Sequence, residues 1–184
     1  MKKVILLGDS IRLMGYGART VELLGEGYTV WQPEDNCRFA SYTLRMLFEY
    51  KEQMEGSDVI HWNNGLWDVC DLFGDGAFTP VEDYVRLLVR IATILKTYAP
   101  TVIFATTTTP DSQMPGHDIE RLKAYNAAAV AALAPMGIII NDLFTPVATD
   151  VDAMICGDHI HLSAQGIEVC AKQVADCIRT HCGA

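Results

Sequence analysis

The chain has 184 residues, half of them apolar and a fifth charged, which supports a folded core and excludes a disordered or fibrous chain. Its formal net charge is −9 at pH 7 and its longest basic run is Lys2-Lys3, so neither nucleic acid nor an anionic membrane is expected as a partner. Four apolar residues between those lysines and Gly8 are too few for a secretory leader, and no stretch approaches a membrane span, so the cytoplasm is the expected location.

Strand and helix signals alternate along the chain. Val4-Ile5-Leu6-Leu7 reads as a strand buried on both faces and ended by Gly8. Gly8-Asp9-Ser10-Ile11 follows at once. Arg19–Leu24 has a helical period stopped by Gly25-Glu26-Gly27, and Tyr28–Trp31 is a second short strand. Pro33–Arg38 is a polar loop. Ser41 or Thr43 caps the next helix, which runs through Leu44, Leu47, Phe48 and Tyr50 to about Met54. Asp58–Trp62 is the third strand, followed by a loop over Asn63–Gly76. Thr79-Pro80-Val81-Glu82 opens a long helix with a capping threonine and an apolar face at Val85, Leu88, Val89, Ala92 and Leu95. Thr101–Ala105 is the fourth strand and Thr106–His117 a long loop whose first threonines form a pocket rim. A helix over Ile119–Leu133, opened by Asp118, leads to the fifth strand, Ile138–Ile140. Asn141–Leu162 reads as mostly irregular, and Ser163 opens the last helix.

Five strands, each followed by a helix, predict one three-layer α/β/α domain over residues 1–184. Its parallel sheet has the flavodoxin-like order 2-1-3-4-5. The six cysteines include no Cys-x-x-Cys pair and are read as reduced thiols; neither a metal nor a cofactor is expected.

In such a sheet function collects at the carboxyl ends of the strands, where Ser10 falls. A serine there attacks a carbonyl if a base lies in reach and donors hold the oxyanion; otherwise Asp9 and Ser10 merely cap a helix. The best base lies in Gly157-Asp158-His159-Ile160-His161, where Asp158 can hold a histidine ring three residues on. His161 is preferred to His159, because a neighbour at i+1 points away. The tip of the third strand, His61-Trp62-Asn63-Asn64-Gly65-Leu66-Trp67-Asp68, should lie beside Ser10 and offer a side-chain amide. Arg12 and Arg38 either line the pocket or lie in solvent. Trp67 and Trp62 form either an aromatic wall or core packing. His117 and His181 read as surface residues.

Gly8-Asp9-Ser10-Ile11 and Asp158-x-x-His161 resemble the first and last blocks of the SGNH (GDSL-type) hydrolases, and the likeness spans nearly the whole chain. It implies a serine esterase without metal or cofactor. Ser10 is then the nucleophile, His161 the general base and acid, and Asp158 the orienting carboxylate; the Ser10 N–H serves the oxyanion hole. The usual third block is Gly-x-Asn-Asp, whereas Gly65-Leu66-Trp67-Asp68 carries Trp67 in the asparagine slot. Asn63, with Asn64 second, then supplies the amide, and strand alternation lets only one reach the site. The second-block N–H comes from Cys37 or a neighbour within Glu34–Arg38. The expected substrate is a small-molecule ester, above all O-acetyl groups on carbohydrates, with lysophospholipids or thioesters as alternatives. A non-catalytic carbohydrate-binding domain and a flavodoxin-like nucleotide binder using Gly15 and Gly17 are the rival readings.

Overall fold

The computed structural model describes residues 1–182. β1 (Lys2–Leu7), β2 (Tyr28–Trp31), β3 (Val59–Asn63), β4 (Thr101–Ala105) and β5 (Ile139–Asn141) form one sheet in the order β2-β1-β3-β4-β5. Every pairing is parallel, as the buried apolar runs predict. β1 lies between β2 and β3, and Val4 to Leu7 are buried. Because the order reverses at β1, a crevice opens at the carboxyl ends of β1 and β3.

Helices cover both faces. α1 (Gly17–Leu24) packs on α9 (Ala164–His181); α2 (Ala40–Glu49), α5 (Val81–Tyr98) and α6 (Ile119–Leu133) pack in a row. α3 (Lys51–Met54), α4 (Leu66–Val69), α7 (Phe144–Thr149) and α8 (Val151–Met154) are short. α4, α7 and α8 lie in segments whose sequence reads as irregular, since a single turn is too short to show a period. Asp118 and Ser163 cap α6 and α9, accepting the N–H groups of Arg121 at 2.6 Å and Gly166 at 3.1 Å.

Helical backbone begins just past Ser10, as a wide turn over Ile11–Tyr16 kinked at Gly15 and continued by α1, which contains the periodic Arg19–Leu24 run. The starts of α2 and α5 depart from the local reading. Gly17 is there for packing: a Cβ on it would lie 2.5 Å from the Gln32 side-chain oxygen and 2.6 Å from the Arg12 carbonyl. Gly15 is thus the kink ahead of α1 and Gly17 its first residue. α2 begins at Ala40, ahead of both serine and threonine candidates, and its first N–H is taken at 3.0 Å by Asp68 from a distant segment. Burial pushes the Asp68 carboxyl up to about 6. α5 begins at Val81 without a side-chain cap.

His61 is fully buried on β3, with its Nε2 facing the Asn141 Nδ2 at 3.2 Å and its ring against the edge of Tyr16. Burial pushes its imidazole down to about 3 from an ordinary 6.5. The unfolded chain therefore takes up a proton between these values that the folded chain refuses, and His61 destabilises the fold by up to about 1.4 kcal/mol for each pH unit lost. In urea unfolding, His61→Leu should gain on the wild type by about that slope as pH falls from about 6.5 towards 4; a pH-independent difference refutes the assignment.

Candidate active site

At the end of β1 the chain turns sharply, and Gly8 is required there by close approach. A Cβ on Gly8 would stand 2.0 Å from the Asn63 Oδ1 and 2.8 Å from the Arg12 Cβ. The Asp9 carboxylate is buried and accepts the Ile11 N–H at 3.0 Å. Its carboxyl is pushed up by burial, against the opposing pull of Asn63, the Ile11 N–H and Arg12. The Asp9 carbonyl accepts the N–H groups of Arg12 and Leu13 at 3.1 and 3.0 Å. The turn is thus closed without the N–H of Ser10, whose side chain lines an open cleft.

Arg12 does not line that cleft. It is fully buried and donates to the carbonyls of Pro33 and Asp35, each at 2.8 Å, and of Gly8 at 3.2 Å. It clamps the loop after β2 onto the Gly8-Asp9-Ser10 turn. Arg38 is likewise no cleft residue: its guanidinium lies over the Tyr42 ring, 4.9 Å from the centroid, and 3.7 Å from Asp35. The Cys37 N–H is spent as well, on the Gly8 carbonyl at 3.1 Å, while the Cys37 Sγ accepts the Gly8 N–H at 3.2 Å. Cys37 is therefore a strut between two loops, not an oxyanion donor. Next to it Arg38 has φ +46°, a left-handed backbone at which glycine is the easy residue, and its N–H goes to the Asn36 Oδ1 at 2.8 Å.

Asn63 and Asn64 point to opposite sides of β3, as alternation requires. The Asn63 Oδ1 accepts the Tyr16 hydroxyl at 2.9 Å and lies against Gly8, and the Asn63 amide lies beside the Asp9 carboxyl. Asn64 is buried and donates through Nδ2 to the Arg38 carbonyl at 3.0 Å, and its own carbonyl accepts the hydroxyls of Tyr84 and Thr107, each at 2.8 Å. Asn64 thereby props up the second loop.

The histidine loop is built around Asp158. Its Oδ1 accepts the N–H groups of Ile160 at 3.0 Å and His161 at 2.9 Å and the Cys156 thiol at 3.2 Å. Its Oδ2 faces the His161 Nδ1 at 2.6 Å. Partial burial works against the charge, but the His161 N–H and ring, the Ile160 N–H and the thiol outweigh it and hold this carboxyl well below the ordinary range. His161 lines the same cleft as Ser10, so the fold brings the two remote chain ends together. His159 turns elsewhere: its φ is +70° and its Nδ1 lies 3.3 Å from Asp111.

The cleft has a volume of about 280 Å³. Trp67 is part of its wall and packs edge-on against Phe39 at 5.4 Å, whereas Trp62 is core, against Phe104 at 4.9 Å. His117, which reads as a surface residue in sequence, also lines the cleft, and its nitrogens meet the Pro115 and Leu66 carbonyls at 3.0 and 3.1 Å. The local signal that could have flagged this wall is Pro115-Gly116. Gly116 has φ +74°, and a Cβ there would stand 2.8 Å from Leu72 and 2.9 Å from the Asp71 carbonyl.

No family model and no curated protein matches the sequence. Solved structures do match, and the neighbours are lipase/acylhydrolases of the GDSL (SGNH) kind and acetyl xylan esterases. A lipase/acylhydrolase from Enterococcus faecalis has a TM-score of 0.80 at 21% identity, over 98% of this chain and 96% of that one. The acetyl xylan esterase AlAXEase has a TM-score of 0.77 at 18% identity, over 96% and 99%. A member of the lipolytic protein G-D-S-L family from Veillonella parvula has a TM-score of 0.74 at 17% identity, over 96% and 97%. At these identities the likeness is one of fold.

Since Arg12 holds loops and not substrate, Arg12→Met should lower unfolding stability by about 2–3 kcal/mol, as three buried carbonyls lose a charged donor. Chemical denaturation checks this; unchanged stability with a raised KM would restore Arg12 to the substrate.

Proposed function

We propose that this chain is a serine esterase of the SGNH (GDSL-type) family, working through Ser10, His161 and Asp158. The observation that carries the reading is the meeting of Ser10 and His161 in one cleft, with Asp158 2.6 Å behind the imidazole. Full-length likeness to structures of esterases supports it.

The Asp158 Oδ2 holds the Nδ1–H tautomer of His161, leaving Nε2 as the base. His161 takes the Ser10 proton as Oγ adds to the ester carbonyl. The developing oxyanion is met by the Ser10 N–H and the Asn63 amide. Collapse expels the alcohol, which takes the proton from His161, and leaves an acyl-enzyme on Ser10. Water, deprotonated by His161, adds to that acyl carbon; Ser10 departs with the proton and the carboxylic acid is released. The three donors on Asp158 Oδ1 keep this carboxylate ionised and fix which oxygen faces the ring. Esters of small molecules are the substrate class; acetylated carbohydrates, lysophospholipids and thioesters all fit the same chemistry. A non-catalytic carbohydrate-binding domain would have no use for this alignment.

A fluorophosphonate probe should label the wild type and not Ser10→Ala, and Ser10→Ala should lose on the order of 10³-fold or more in kcat on a p-nitrophenyl ester. Labelling or turnover that survives Ser10→Ala at the wild-type level refutes the reading. Asn63→Ala should lower kcat by roughly 10²- to 10³-fold with the fold retained by circular dichroism, while an unchanged kcat removes Asn63 from the oxyanion hole.

A further inference from the structure

The chemistry of the cleft wall narrows the substrate. A sugar-binding site needs side chains free to meet hydroxyls, because each buried hydroxyl left unpaired costs affinity. Here the polar groups are already committed. Both His117 nitrogens face carbonyls, the His161 Nδ1 faces Asp158, and the Ser10 Oγ and His161 Nε2 are reserved for the reaction. The rest of the lining offers only the indole of Trp67 and the thiol of Cys70 beside Leu66, Leu72, Phe78, Met114, Pro115 and Ile160.

The apolar surface continues outward past the cleft mouth. Leu72 is 58% exposed, Phe73 80% and Phe78 43%, and Phe73 and Phe78 pack edge to face at 6.2 Å. These side chains belong to a held segment. The Asp71 N–H donates to the Gly116 carbonyl at 2.8 Å, the Phe78 N–H to the Cys70 carbonyl at 2.8 Å, and Arg121 pairs with the largely buried Asp71 at 3.2 Å. An exposed apolar patch that is fixed in place and continuous with a reactive serine calls for an apolar ligand.

We infer that the substrate is an ester bearing an apolar chain longer than an acetyl group, which lies along Leu72, Phe78 and Met114, and that acetylated sugars are poor substrates. This rests on the serine-esterase reading. The cleft, of about 280 Å³, is far larger than an acetyl methyl, which takes the space of about one water. A short acyl group would leave the wall wet, whereas each added methylene that leaves water multiplies kcat/KM by about fourfold, the equivalent of about 0.8 kcal/mol.

The experiment compares kcat/KM along two series on the whole chain, vinyl esters from acetate to dodecanoate and alkyl acetates from methyl to octyl, with acetylated xylo-oligosaccharide alongside. Fluorophosphonate labelling of Ser10 is run in parallel. A rise on the order of 10²-fold over four added methylenes, followed by a plateau, is expected in one series. A rise in the vinyl series puts the chain on the acyl side, and a rise in the alkyl series puts it on the alcohol side. Leu72→Ser, at an exposed position that the fold tolerates, should lower the ratio of the six-carbon member to the shortest member of the responding series by about fourfold or more. Labelled enzyme that is flat along both series, or that prefers the acetylated sugar, overturns the chain-length inference and leaves the esterase intact. Absence of both labelling and turnover overturns the esterase reading and this inference with it.

Discussion

Three carbonyl oxygens gathered around one buried guanidinium hold together the loops at the carboxyl ends of β1 and β2. Arg12 carries a charge into the interior, and a charge there is tolerated only when its donors are met. The carbonyls of Gly8, Pro33 and Asp35 meet the two terminal nitrogens, drawing the loop after β2 down onto the turn after β1. Cys37 repeats the link with two more contacts to Gly8. This clamp ties two loops at the open end of the parallel sheet to each other beside Ser10.

Around that clamp, acidic side chains follow opposite courses. Asp9 and Asp68 are sealed from water, and burial raises their carboxyls. Asp158 is only partly covered but is ringed by N–H and S–H donors, and its carboxyl is lowered. The first two serve as internal acceptors that tie turns and helix ends. Asp158 stays charged behind the His161 ring. The same residue type is raised or lowered by the balance between desolvation and donors.

Much of this was legible along the chain. The Val4–Leu7 run, its abrupt end at Gly8, and four further strand–helix alternations point to a doubly covered parallel sheet, and its order is the one observed. The pairing of Asp158 with His161 was legible too, because a carboxylate and a ring three residues apart in a tight loop can hardly avoid each other. Alternation on β3 separated Asn63 from Asn64 before any coordinates did. The short helices α4, α7 and α8 were not visible, since four to six residues make no measurable period.

What the sequence determined by itself is whatever depends on near neighbours: periodicity, turn residues and spacings of a few positions. Tertiary structure alone decided who meets whom across the chain. It set Arg12 and Cys37 to holding loops, put Asp68 on the first turn of α2, and placed His117 in the cleft wall. Each of these outcomes rests on a donor finding its acceptor tens of residues away. Polar groups sealed from water must be paired with whatever the packed sheet brings beside them, and no local pattern encodes that partner.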